Sequence, residues 1–166
     1  MELSLTDGIA GLALLVSMLS AISASNAAGS AESSAESAIR ANDIAQHNER
    51  LAIYKALQKF NFELQRYGNT LPDSSLWAFA DAANISEFYY PQSVAQDLLN
   101  IADAAHKYLT VRDEWAGHQE AGAVDRDKVR QALASLNKQG GDLRKMCKEC
   151  DESLRAHLRK EQKDAN

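Results

Sequence analysis

Proline and cysteine are scarce, with two of each among 166 residues, and there are only eight glycines. Strand-rich proteins need Gly and Pro at their turns, so this shortage leans towards helices. Two cysteines exclude a disulfide-dense secreted scaffold. A basic excess is missing as well, since the formal net charge is −5. A protein that coats nucleic acid needs a strongly basic face to neutralise phosphates, and no nucleic-acid partner is expected. No phosphate-cradling loop, dinucleotide glycine fingerprint, metalloprotease His pair or nucleophile elbow occurs. The sequence calls for no cofactor and no metal, and it reads as non-catalytic rather than as an enzyme.

Charge is absent altogether between Asp7 and Glu32, and the richest part of that stretch reads Ile9-Ala-Gly-Leu-Ala-Leu-Leu-Val-Ser-Met-Leu-Ser-Ala-Ile22. About 20 helical residues cross a hydrocarbon core, so the length suffices, although Ser17, Ser20, Ser23, Ser25 and Asn26 dilute its second half. A cleaved signal peptide wants a basic start, whereas the residues before the stretch are Glu2 and Asp7 with no Lys or Arg. An interfacial helix would carry cations on its polar face, and the first cation is Arg40. A buried core helix is the plainer alternative. The reading adopted is a single membrane-spanning anchor in residues 1–31. Because Arg40, Arg50, Lys55 and Lys59 follow it, the bulk of the chain is expected on the cytoplasmic side. Small residues at every fourth position (Ala13, Ser17, Ala21, Ser25, Gly29) let helix backbones approach in lipid, which points to a homo-oligomer through this helix; sheer abundance of Ala and Ser would give the same pattern.

Residues 27–67 are rich in helix formers and read as one long helix leaving the membrane. Ala31, Ala35 and Ala38 form a thin stripe, suited to a solvated stalk or an Ala-packed helix pair. The stripe then gains bulk at Ile53, Leu57, Phe60, Leu64 and Tyr67, where the helix enters a core. Gly68-Asn-Thr-Leu-Pro-Asp73 stops this helix and starts a short one carrying Leu76, Trp77, Phe79 and Ala80 and ending near Asn84. Phe88-Tyr-Tyr-Pro91 is the next break, with Pro91 as a first helical residue and the aromatics plugging the core between helices. A helix over 92–115 presents Val94, Leu98, Ile101, Ala105, Tyr108 and Trp115, and a loop over 117–124 follows. From 125 to 160, Val129, Leu133, Leu136, Gly140, Leu143, Cys147, Cys150, Leu154 and His157 keep an unbroken 4-3 spacing, which Gly140-Gly141-Asp142 threatens to split. The expected fold is all-α: a long amino-terminal helix, anchor plus stalk, continuing into a small antiparallel bundle. Residues 32–68 form the stalk and first bundle helix, and 69–166 the remainder.

Two constellations resemble chemistry. Cys147-Lys-Glu-Cys150 with His157 has a metal or redox spacing, but no second ligand pair follows, and all three sit on the apolar stripe as core residues do. Arg112-Asp-Glu-Trp-Ala-Gly-His118 resembles the Arg-x4-6-His motif of HEPN-type ribonucleases, which are all-helical; the resemblance would make His118 the acid/base and Arg112 the phosphate-holding group. Arg40 to His47 matches the same spacing, and Asp113, Glu114 and Glu120 would repel RNA. His47 and His106 read as surface residues. Residues 125–166 carry eleven Lys and Arg against eight Asp and Glu, a net of +3 in a chain of −5, leaving −8 elsewhere. Such polarity suits head-to-tail self-association, a charged partner or simply a solvated helix face.

The acidic start, the uncharged span, the Ala/Glu/Ser stalk, Asn48-Glu-Arg-Leu-Ala-Ile-Tyr-Lys-Ala-Leu-Gln-Lys-Phe60 and Ser86-Glu-Phe-Tyr-Tyr-Pro91 together resemble a broad group of uncharacterised bacterial single-pass membrane proteins with a small cytoplasmic helical domain. That resemblance implies an address at the bacterial inner membrane and carries no activity. The functional expectation is a membrane-anchored interaction or scaffold protein with an unidentified protein partner. Its rivals are the HEPN-like ribonuclease and a membrane-perturbing effector acting through oligomerised amino-terminal helices.

Overall fold

The computed structural model describes residues 5–120 and 126–164, and side chains at 14, 16–118 and 126–160. Four α-helices follow one another: α1 (Leu5–Tyr67), α2 (Asp73–Ile85), α3 (Gln92–Glu120) and α4 (Arg126–Asp164), with single 3-10 turns at Gly68–Thr70 and Ser86–Phe88. No strand occurs among the described residues. The chain divides into two compact units, Met1–Ala45 and Gln46–Asn166.

In the first unit, residues 5–45 belong to α1, and every described side chain is exposed. Among the described residues no helix is long and apolar enough to cross a membrane. The side chains at 8–13 and 15 of the expected 8–31 span lie outside the described residues.

The second unit is an antiparallel bundle around one core. Ile53, Leu57, Phe60 and Leu64 enter from α1, Leu76, Phe79 and Ala83 from α2, Val94, Leu98, Ile101, Ala105 and Tyr108 from α3, and Leu136, Leu143, Cys147, Cys150 and Leu154 from α4. Phe60 stacks on Phe79 with centroids 4.9 Å apart and joins α1 to α2. Gln58 donates to Asp151 between α1 and α4. In the α3/α4 hairpin Asp97 faces Cys150 while Tyr108 faces Gly140, so the two run in opposite directions.

The joints follow from local chemistry. Gly68 takes φ +50°, a left-handed conformation that L-residues adopt at a cost, and so ends α1 where the sequence places the stop. Pro72 precedes α2 in extended conformation, with its carbonyl accepting from the Ser75 amide at 3.0 Å. Pro91 stands one residue before α3 instead of inside it, and its carbonyl accepts the Val94 and Ala95 amides. Three sequence expectations are corrected. Gly140-Gly141 does not split α4, because Leu136, Leu143 and Cys147 bury on either side and packing outweighs the glycines' poor propensity. The α3 helix continues through Gly117 to Glu120; the rest of the expected loop, 121–125, lies outside the described residues. Tyr67, expected on the core stripe, is exposed because α1 ends there; Trp77 lies exposed on the outer face of α2. The aromatic break behaves unevenly: Tyr90 is buried and its hydroxyl donates to the Arg50 carbonyl at 2.9 Å, Arg50 Nε donates back to the Tyr89 carbonyl, and Phe88 is 76% exposed.

Candidate functional site

The densest polar cluster is built where the α1–α2 turn meets α3. Arg112 leaves α3 with its side chain largely covered, 15% exposed, and reaches across to the turn. Nη1 donates to the Leu71 carbonyl, and Nη2 donates to Asp73 Oδ1 at 2.8 Å. Asp113 Oδ1 accepts from both Nε and Nη2, at 2.9 and 2.6 Å. Burial works against the charged guanidinium, but the hydrogen bonds to Asp113 and Asp73 outweigh it and raise its pKa further. One turn earlier, the Tyr108 hydroxyl donates to Asn69 Oδ1 at 3.3 Å, and burial raises the phenol above its usual value despite Arg144 and Arg112 nearby.

His118 is exposed, six residues further along the same helix. At about 100° per residue, six positions put the two side chains about 120° apart around the axis. Arg112 therefore points to the α1–α2 turn, with its donors directed at two carboxylates and a carbonyl, and nothing described brings His118 beside it.

Cys147 and Cys150 are reduced and buried. Each lines the floor of a cleft, Cys147 one of about 240 Å³ bounded by Gln58, Phe62, Asp151 and Arg155, and Cys150 one of about 200 Å³ bounded by Asp97, Asn100 and Met146. Burial, with Cys150 adjacent, pushes the Cys147 thiol up to about 12. Burial, reinforced by Asp97 and Asp151, does the same for Cys150. A thiolate is the reactive and metal-binding form, so at neutral pH both are inert core residues. Among the described residues no group of three or more His, Cys, Asp or Glu could hold a metal ion, and His157 is half-buried at the end of the same stripe. An Ellman titration of the folded protein at pH 8 is expected to show no fast thiol and two after denaturation. Because both folded-state values lie above the ordinary 9.0, the unfolded chain loses its thiol protons first. Stability from these groups is thus intact below about pH 9 and falls as pH rises towards 12. A rapid reaction of either cysteine in the folded chain at pH 8 would sink this account.

Sequence reasoning missed the partners of Arg112. Leu71 and Asp73 lie 41 and 39 residues away, and their only local signal was the stop-and-restart turn itself. It also missed the pairing of exposed Trp77 with His106, whose rings meet edge-on at 5.0 Å. No protein family, no curated protein and no solved structure matches the chain.

Proposed function

We propose that the chain is a membrane-anchored helical interaction protein: an amino-terminal helix that inserts and self-associates, and a carboxy-terminal bundle that docks a protein partner on the cytoplasmic side of a bacterial membrane. The observation that carries this reading is the surface of α1, where Leu14, Val16, Met18, Leu19 and Ile22 are each between 57% and 64% exposed. At about 100° per residue they spread over more than half of the circumference, too wide for one packed stripe. A helix apolar over so wide an arc belongs in lipid or in a core, and the described chain provides no core there. Ser20 fits lipid better than its polarity suggests. Ser20 Oγ donates to the Val16 carbonyl at 2.8 Å, so the helix itself satisfies its hydroxyl donor. Orientation rests on Arg40, Arg50, Lys55 and Lys59, which follow the uncharged stretch.

The test is membrane fractionation of the expressed full chain with a carbonate wash. The wild type is expected to stay in the membrane pellet. Leu14→Glu with Leu19→Glu is expected to move it to the supernatant, each charge costing about 2–3 kcal/mol or more near mid-span. Release of the wild type by carbonate would overturn the anchor.

A further inference from the structure

Gly140 and Gly141 stand side by side in the middle of α4, and the fold accounts for one of them. A Cβ on Gly140 would lie 3.1 Å from the Tyr108 ring, so the α3/α4 approach demands a glycine-sized residue. Gly141 has nothing within 4 Å, takes no positive φ and is exposed. An exposed glycine inside a helix weakens it relative to alanine, and nothing in the described chain uses the space it leaves. Its neighbours three and four positions away are Asn137, Lys138, Arg144 and Lys145, all exposed. The outer face of α4 therefore carries a shallow notch rimmed by three cations.

The complementary shape is on α2. Trp77 is 55% exposed, and the edge-on contact with His106 restrains its indole. At the same offsets it is flanked by Asp73, Ser74, Ala80 and Asp81. This is an aromatic knob between two carboxylates, of which Asp73 also accepts from Arg112 and keeps 60% of its side chain exposed. Asp73 and Asp81 span about 12 Å along their helix and Lys138 and Lys145 about 10 Å along theirs, so one helix crossing can pair both ends while Trp77 sits over Gly141. The wider surfaces agree in sign. Residues 69–120 hold eight Asp and Glu against two Lys and Arg, whereas α4 holds eleven Lys and Arg against seven Asp and Glu.

We propose that the Trp77 knob of one copy docks into the Gly141 notch of a second copy of this chain. Both helices pack on α3, α2 meets α1 through the Phe60–Phe79 stack and α4 meets it through Gln58–Asp151, so α2 and α4 occupy diagonal corners of the bundle. The contact is therefore head-to-tail: one copy of a pair keeps its notch and the other its knob for further copies, and the array extends unless it closes into a ring. Burying an immobilised Trp gives such a contact its anchor, and the opposed charges set its register and its salt sensitivity. Membrane attachment is not required for it.

The experiment mixes full-length chain carrying Ser74→Cys with full-length chain carrying Asn137→Cys and adds a short bismaleimide; Cys147 and Cys150 are buried and serve as the silent background, checked with wild type. A cross-linked pair is expected in the mixture at about ten times the yield of either variant alone, because only the mixed contact holds the two introduced thiols side by side at a high effective concentration. Trp77→Ala on the first chain, or Gly141→Leu on the second, is expected to lower that yield about tenfold. Gly141→Leu also discriminates folding from docking, because it improves helix propensity and should leave helical circular dichroism and the melting midpoint unchanged or higher. Equal yields in the mixture and the single variants, or a yield that survives Gly141→Leu, would overturn the proposal. Since the cross-link reports the second unit alone, failure of the membrane anchor in fractionation leaves its outcome readable.

Discussion

Phe60→Ala is expected to lower the unfolding free energy by about 3–5 kcal/mol, the range for removing a buried aromatic ring and leaving a cavity. Phe60 is 1% exposed and lies flat against Phe79, with ring planes 13° apart. The loss is concentrated on α2. That helix has 13 residues, and its core contribution is limited to Leu76, Phe79 and Ala83, so the ring stack is its principal hold on α1. A domain of ordinary stability, about 5–15 kcal/mol, would keep only part of its margin. Urea unfolding gives the magnitude, and native-state hydrogen exchange shows where it falls: amides of 76–85 should open before those of α4. Phe62, two residues along and 60% exposed, is the internal control, expected to change stability by at most about 0.5 kcal/mol on truncation. A loss below about 1 kcal/mol for Phe60→Ala would mean that the α1–α2 packing is not what holds the short helix.

Helices and their buried faces were legible because the apolar spacing is periodic and local. The stripe Val94, Leu98, Ile101, Ala105 and Tyr108 is buried as its spacing requires, and so is the run from Leu136 to Leu154 in α4. Residues at the ends of such stripes were misplaced for a physical reason: Tyr67 continues the α1 periodicity, but Gly68 turns the chain there, and a stripe buries only as far as its partner helix extends. The short α2 was legible as an apolar helix but not in its facing: it fills its inner face with Leu76, Phe79 and Ala83 and turns the Trp77 indole outwards. Tertiary polar contacts were illegible. The sequence held Arg112 and Asp73 as separate features, a cation in one helix and an acidic residue after a proline, and only the folded turn brings them to 2.8 Å. The double glycine was legible as a feature but not as a consequence, because a helix break and a close helix approach use the same residue, and packing decides between them.

Arg112→Ala is the second large effect, and it separates two roles for one residue. The guanidinium satisfies the Leu71 carbonyl and engages Asp73 and Asp113, tying the end of the α1–α2 connection to α3. Hydrogen bonds to charged groups contribute about 1.5–3 kcal/mol each where buried. Asp73 and Asp113 are 60% and 64% exposed, so solvent replaces much of what they lose. The expected cost is about 2–3 kcal/mol, set mainly by the carbonyl left without its donor and by the lost packing of the covered arginine stem. Arg112→Lys should recover only part of it, because an ammonium cannot present the planar fork that reaches the carbonyl and two carboxylates together. His118→Ala, at an exposed position, should leave the denaturant midpoint unchanged. A clamp therefore predicts a stability ranking of wild type, then Lys, then Ala, with His118→Ala indistinguishable from wild type. A phosphate-holding arginine predicts the reverse emphasis: loss of RNA cleavage in both Arg112→Ala and His118→Ala, with stability unaffected in either. Denaturant midpoints and an RNA-cleavage assay on the same four proteins decide between them, and a stable Arg112→Ala protein would refute the clamp.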